Sequence, residues 1–533
     1  MQVDVEVTED LQNRWTHLEQ QRASYVGLCE QYAKWTLPYL FPSGSPGSSA
    51  NVEMQLSADS IGAQAVNHLA NKVVSTLFPP QSMFFRLRVD ALAKSNLVQT
   101  LAQQGADEPA VAAAIAEIDK QLAAKEKEAQ DKLDMVSFRP QAVRAAQLLI
   151  ITGNALEFHP EGRPVQVFSL RDYCVVRDLS GEVIEIMTRE CKAFETFHPN
   201  VQAQLKDPRI PKSHRSEYAG KTEVVVYTQI RLENDGKFHV VQSADHVKLD
   251  IGNASYPKDK LPWIVLTWNL VRGEDYGRGL VGDYSGAFHA INVLTLSLLN
   301  IAAIMGDIKF LVNPSSMLDV QEMNQSQPGS YHSGKEGDVT TVKLDRYNEA
   351  QFISNMIERY ERQIGQAFLL ATAVTRNAER VTAEEIRDQA NELETSNGGI
   401  YSRLAANWQS PLAYVILDQI DFQAVEHGIT PKVITGMDSL SRMSELDNLK
   451  MFFMDLAMLN NLPEDVRAEM DLQKVMSVLG TNRQVEYQAM LKTKEQKQQE
   501  YQQAMQMQQA QAAQEASGKV AAAAGTEAVK QAA

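Results

Sequence analysis

The sequence predicts an α+β, mainly helical protein, and three observations predict it. Stretches before residue 160 and after residue 280 carry apolar residues at helical spacing. From Gly162 onward the period drops to two, with turn signals at Gly181 and Asp235-Gly236. No regular strand–helix alternation runs through the chain, so a doubly wound parallel sheet is not expected.

The elements follow in order. LQNRWTHLEQQRASYVGLCEQYAKWTLPYLF places Trp15, Leu18, Tyr25, Leu28, Tyr32 and Trp35 near helical spacing. PSGSPGSS, residues 42–49, punctuates it as a loop. IGAQAVNHLANKVVSTLF is a second helix, stopped by Pro79 and Pro80. Residues 106–135 form an Ala-rich helix of mixed charge with few large apolar residues, expected to be a solvated face. FRPQAVRAAQLLIITGNALEFH starts as a helix and runs into a turn and a strand. Hairpin-rich strands then extend to LPWIVLTWNLV.

Two helices bracket a strand-containing insert. The first, YSGAFHAINVLTLSLLNIAAIMG, runs 23 residues without a formal charge, with Leu294 and Leu298 on its apolar stripe. That is long enough to span a bilayer, but it contains His289, Asn292, Thr295, Ser297 and Asn300, and no second span exists. Burial by neighbouring helices or subunits is the expectation. The second, NEAQFISNMIERYERQIGQAFLL, carries Ile353, Met356, Ile357, Tyr360, Ile364 and Phe368 on one stripe. Beyond it, Thr382 and Glu385 form a capping box that starts a long helix, which Gly398-Gly399 interrupts before Trp408. The stretch between, residues 373–380, holds Arg376, Glu379 and Arg380. Met-rich helices follow, and the chain closes in low-complexity Gln/Ala sequence.

Composition narrows the function. At 533 residues, 44% hydrophobic and 22% charged, the chain has the length for about two to four domains. A formal net charge of −16 excludes a protein that coats nucleic acid through a wholly basic surface, though not one past which a duplex slides. Cys29, Cys174 and Cys191 contain no CxxC pair, so neither a zinc knuckle nor a disulfide framework is expected. MQVDVEVTEDLQNRW carries acids where a secretory leader needs basic residues and an apolar run.

Catalytic signatures are missing. AGKTEV has Arg215, not Gly, five positions before Gly220, so it is no phosphate loop. No HExxH, GxSxG or HxE…CxxC motif occurs. His159, His198 and His214 lack partners at ligand spacing, and Asp307, Asp319 and Asp338 are scattered. No catalytic, cofactor-binding or metal residue is assigned, and no enzyme is expected.

Six ordered stretches resemble the portal proteins, or head-to-tail connectors, of T7-like short-tailed bacteriophages. They are TLPYLFP (36–42), HLANKVVSTLFPPQSMFFRL (68–87), ITGNALEFHPEG (151–162), VVRDLSGEVIEIMTRE (175–190), EDYGRG (274–279) and NAERVTAEEIR (377–387). The resemblance implies a portal fold of wing, stem, clip and crown in a twelve-subunit ring. On this chain it implies a wing over 1–282, stem helices over 283–305 and 348–371, and a clip over 306–347 between them. It further implies a tunnel loop and long wing helix over 372–435, a crown over 436–490 and a Gln/Ala tail over 491–533.

Double-stranded DNA would pass without sequence preference, with Arg376, Glu379 and Arg380 in the tunnel loop. The implied partners are the terminase large subunit, tail adaptor and tail tube proteins, the major capsid and scaffolding proteins, and internal core proteins. The implied location is the portal vertex of the virion, with host cytoplasm during assembly and no membrane insertion of its own. No cofactor is implied. A membrane-embedded protein and a purely structural scaffold remain the alternatives.

Overall fold

The computed structural model describes residues 5–42, 57–79, 83–88, 108–206, 215–218, 221–244, 247–249, 255–306, 309–316, 318–342, 347–370, 399–422 and 432–434, with a few isolated positions. The chain divides into two compact units, Met1–Leu440 and Ser441–Ala533. Only isolated positions of the second unit are described, so the architecture below is that of the first.

Helix α1 (Val5–Trp35) crosses the large sheet. Leu11, Trp15 and Leu18, at i, i+4 and i+7, bury against Cys174, Met187 and Tyr227. Trp15 lies 6.0 Å from the Tyr227 ring, and the Arg189 guanidinium sits 4.8 Å from the Trp15 ring centroid. Arg14 donates to the buried Glu185 carboxylate at 2.6 Å, fixing α1 along the strands. Helix α2 (Ile61–Leu77) buries Ala65, Val66, Leu69, Ala70, Val73 and Val74. Helix α3 (Glu108–Met135) is less solvated than its composition suggests. It buries Ile118, Leu122, Glu126 and Ala129 on one stripe.

Glu126 is buried because it has work for both oxygens. One accepts from Arg86 at 2.6 Å, the other from the Leu87 backbone N–H at 2.7 Å. Arg86 and Leu87 belong to strand β1 (Arg86–Arg88), which pairs antiparallel with a strand far along the chain, Lys432–Ile434. That long-range closure leaves no local signal in the sequence.

Helix α4 (Phe138–Thr152) packs on α2 and ends at Gly153, whose φ of 77° makes the left-handed cap. Strands β2 (Asn154–Phe158) and β3 (Gln166–Phe168) follow, then β4 (Tyr173–Arg177) and β5 (Val183–Ala193). After the short helix α5 (Pro199–Leu205) come β6 (Arg215–Tyr218), β7 (Lys221–Leu232), β8 (Lys237–Ala244), β9 (Val247–Leu249), β10 (Ser255–Pro257) and β11 (Trp263–Thr267).

They form two sheets, not one continuous module. A seven-stranded antiparallel sheet has the order β10-β8-β7-β5-β4, with β6 on β7 and β9 on β8. Strand β11 returns instead to β2, giving the sheet β11-β2-β3, with Thr267 opposite Asn154.

After the short helix α6 (Leu280–Asp283) comes α7 (Ser285–Gly306). Strand β12 (Lys309–Val312), helix α8 (Val320–Gln325) and β13 (Val339–Val342) make a small tip, β12 pairing with β13. Helix α9 (Tyr347–Ala367) then runs back along α7. Farther on, α10 (Ile400–Leu404), a π-turn (Ala405–Gln409) and α11 (Ser410–Gln419) form one rod, and Lys432–Ile434 is β14.

The base of α7 is locked to α4 by backbone contact. A methyl group on Gly153 would meet the Gly277 carbonyl at 2.4 Å, and one on Gly279 would meet the Gly153 nitrogen at 2.7 Å. Asn154 makes the junction reciprocal: its Nδ2 donates to the Gly277 carbonyl at 2.7 Å, and its Oδ1 accepts from the Gly277 N–H at 2.7 Å. The Tyr25 hydroxyl lies 2.7 Å from the Thr152 carbonyl and 2.6 Å from that of Gly277.

Gly279→Ala is therefore expected to lower thermal stability by more than about 2 kcal/mol, because the added Cβ has only backbone to displace. Gly27→Ala, in the exposed middle of α1 with open space around it, is the matched control. It should be neutral or stabilising by up to about 1 kcal/mol. Thermal unfolding of the two purified variants checks the contrast.

A second expectation concerns acid. Burial alone would raise the Glu185 pKa, but the hydrogen bonds from Arg14 and Gln229 outweigh it and hold the carboxyl below its usual 4.5. A depressed folded pKa contributes stability above the unfolded value and loses it as pH falls through the folded one. Glu185→Gln should therefore be less stable at neutral pH and show a flatter loss of near-UV dichroism between about pH 5 and pH 3.

Candidate channel and assembly surface

Helices α7 and α9 form a hairpin whose base is buried and whose length is not. Ala287, Phe288 and Ile291 of α7 are buried. Tyr284 and Phe288 meet Phe368 edge-on at 6.0 and 5.7 Å, and His289 lies 5.8 Å from Trp35. The Asn292 side-chain oxygen accepts from the Ser57 hydroxyl at 3.1 Å and the Ala58 N–H at 3.0 Å. The polar residues that open this uncharged helix thus have partners at its base.

Past Asn292 the cover thins. Leu294 and Leu298, singled out in the sequence, are half-buried, while Val293, Leu296, Leu299 and Ile304 are exposed. Only 11% of the helix's most apolar 18-residue window is buried. Among the described residues, neighbouring helices do not supply the burial this composition demands: α9 lies along one side and α1 touches it only lightly. An apolar helix left open over several turns marks an interaction surface.

Helix α9 is built oppositely. Its less exposed stripe is Ile353, Met356, Ile357, Tyr360 and Ile364, and its far side is polar apart from exposed Phe352. At the tip, Phe310, Leu311, Val320 and Tyr331 are exposed. The acids there are structural: Asp319 caps α8 through the Gln321 N–H at 2.8 Å, and Asp338 accepts from the Lys335 N–H at 2.7 Å. Asp307 lies outside the described residues.

Arg376, Glu379, Arg380, Thr382 and Glu385 also lie outside the described residues. The rod beyond them is well defined. Gly399, at φ 82°, is the N-cap of α10. Leu404, Trp408, Leu412 and Ile416 are all buried. A spacing of four drifts by about 40° per step in an α-helix, and the π-turn absorbs that drift. Trp408 can then donate its indole N–H to Glu157 at 2.9 Å, and Gln409 can donate to the Leu77 carbonyl at 2.5 Å. This buried node was not among the residues picked out from sequence. Its one legible signal is the run of apolar residues at intervals of four.

The titratable groups point away from chemistry. His159 Nε2 lies 3.0 Å from the same Glu157 oxygen that Trp408 reaches, so the pair ties β2 to the rod. The His198 ring nitrogen accepts from the Asn200 N–H and caps α5. Burial pushes the Cys29 thiol up to about 12 and the Cys174 thiol to about 11, far from a reactive thiolate. Among the described residues no group of three or more His, Cys, Asp or Glu could hold a metal ion.

The profile of the family described as bacteriophage head to tail connecting protein matches residues 8–486. The chain is 34% identical to the portal protein of Enterobacteria phage SP6 over 451 residues, 84% of each protein. It is 28% identical to the portal protein of Escherichia phage T7, covering 91% of this chain and 88% of that one. To the portal protein of Pseudomonas phage phiKMV it is 31% identical, covering 79% and 80%. A chain in the neck of an empty GTA particle superposes with a TM-score of 0.36 at 10% identity, covering 79% of this chain and 90% of that one, too distant to add to the family match.

Proposed function

Because the chain belongs to the bacteriophage head-to-tail connecting protein family, we propose that it is a portal subunit whose ring carries double-stranded DNA into the capsid during packaging and out during ejection. Its place is the head–tail junction of the virion. The observation that carries the ring is the open apolar length of α7, which needs a second copy to cover it. A face that is not self-complementary makes a heterologous contact, and such contacts close into rings when the rotation allows. Twelve subunits is the number proposed.

In this reading the hairpin α7–α9 is the stem, the β12–β13 tip is the clip, and the two sheets with α1–α4 are the wing. Residues 436–490 make the crown, and Arg376, Glu379 and Arg380 stand in a tunnel loop. The exposed apolar residues of the tip suit docking of the terminase large subunit and later of tail adaptor proteins. Capsid, scaffolding and internal core proteins are the remaining proposed neighbours.

The chain itself acts as a passive conduit, with ATP hydrolysis left to the motor partner. The membrane-embedded and scaffold-only alternatives are not favoured, since the relatives are portal proteins.

Leu294→Asp or Leu298→Asp should place a charge between stem helices and lower ring yield several-fold, read by end-on electron micrographs and gel filtration. Normal rings from both variants would put those side chains in solvent.

Changing Arg376 and Arg380 together to Ala should leave assembly intact and reduce packaged or retained DNA per capsid. Thr382→Val is the control, loosening the helix start by about 0.5–2 kcal/mol while keeping both arginines. Full packaging with the double variant would remove the two arginines from the channel.

A further inference from the structure

The two stem helices divide charge between them completely. Helix α7 has no formal charge from Ser285 to Gly306, and its exposed positions include Val293, Leu296 and Leu299. Helix α9 carries Glu349, Glu358, Arg359, Glu361 and Arg362. At about 100° per residue, Gln351, Asn355, Arg359, Arg362 and Gln366 fall within an arc of about 80°. The arc lies diametrically opposite the stripe of Ile353, Met356, Ile357, Tyr360 and Ile364. All five residues of this arc are exposed.

Arg359 and Arg362 have no ion pair or hydrogen bond among the described residues. They are two free guanidinium groups one helical turn apart on a stripe otherwise made of amides. The stripe extends about 22 Å along the helix axis.

We infer that this stripe of α9 is the DNA-facing wall of the stem, with Arg359 and Arg362 as its phosphate contacts, while α7 faces the neighbouring subunit. The assignment rests on the ring reading above. It follows from what each face can do in water. The apolar face of α7 offers nothing to a phosphate, and turned to the channel it would stay uncovered. The α9 stripe itself is made of polar side chains, with exposed Phe352 at one edge, and its guanidinium forks match phosphate oxygens.

The grip is weak by composition. Two arginines are set among three amides, and Glu358 lies at the stripe's edge. Each phosphate contact adds salt-dependent affinity, so a sparse set locates the duplex without arresting it.

The test uses the full chain in DNA-filled particles, with a photoreactive benzoylphenylalanine encoded singly at Arg359, Arg362, Leu296 or Leu299. Irradiation should yield protein–DNA adducts from positions 359 and 362, and subunit–subunit adducts from 296 and 299. DNA adducts from 296 and 299 with none from 359 and 362 would overturn the face assignment and leave the portal reading standing. Subunit adducts without DNA adducts from any position would also overturn it. Failure of the unsubstituted chain to enter DNA-filled particles would strike the portal reading itself.

A second arm removes the charges alone. Arg359→Gln with Arg362→Gln should preserve rings and lower DNA retained per filled particle about two-fold or more, with a shallower salt dependence. Unchanged retention and salt dependence would deny the guanidinium groups their role.

Discussion

The contact between the end of α4 and the base of the α7–α9 hairpin governs the rest of the structure. Gly153, Gly277 and Gly279 bring two backbones closer than any side chain would permit. Asn154 then pairs with both the N–H and the carbonyl of Gly277. An amide buried this deeply would be costly with either group unpaired, so the junction holds one geometry. Because α6 and α7 begin directly after Gly279, that geometry sets the direction in which the hairpin leaves the body.

Body and hairpin differ in how complete they are. The body closes its own core. Trp15, Phe41, Phe85, Tyr173 and Trp408 are essentially inaccessible, and its buried carboxylates at Glu126, Glu157 and Glu185 each accept defined donors. The hairpin does the reverse, leaving apolar side chains of α7 open along its length. At about 25 cal/mol per Å² of apolar surface removed from water, covering them favours association strongly. The hairpin thus presents an apolar surface that association would cover.

Among the described residues the same economy shows in the buried titratable groups. Several of the buried polar side chains tie elements together. Tyr25 joins α1 to the base of the α7–α9 hairpin, and burial pushes its hydroxyl well above the usual range. His159 and Glu157 join β2 to the rod that holds Trp408. What remains for a partner is surface: an uncharged helix, a polar helix with two free arginines, and an apolar tip.

By itself the sequence determined whatever depends on short-range patterning. Helical spacing marked α1, α2, α7 and α9, alternation and the turns at Gly181 and Gly236 marked the strands, and the missing motifs argued against catalysis. Ordered short matches along the chain pointed to the family, which the comparisons then established. Only the tertiary structure decided the return of β11 to β2, the pairing of β1 with Lys432–Ile434, and the buried face of α3. Those join residues far apart, and sheet pairing and burial depend on partners that no local window contains. The tertiary structure also showed that, among the described residues, α7 lies open over much of its length. Composition reports how apolar a helix is, whereas the cover it receives depends on what the fold brings beside it.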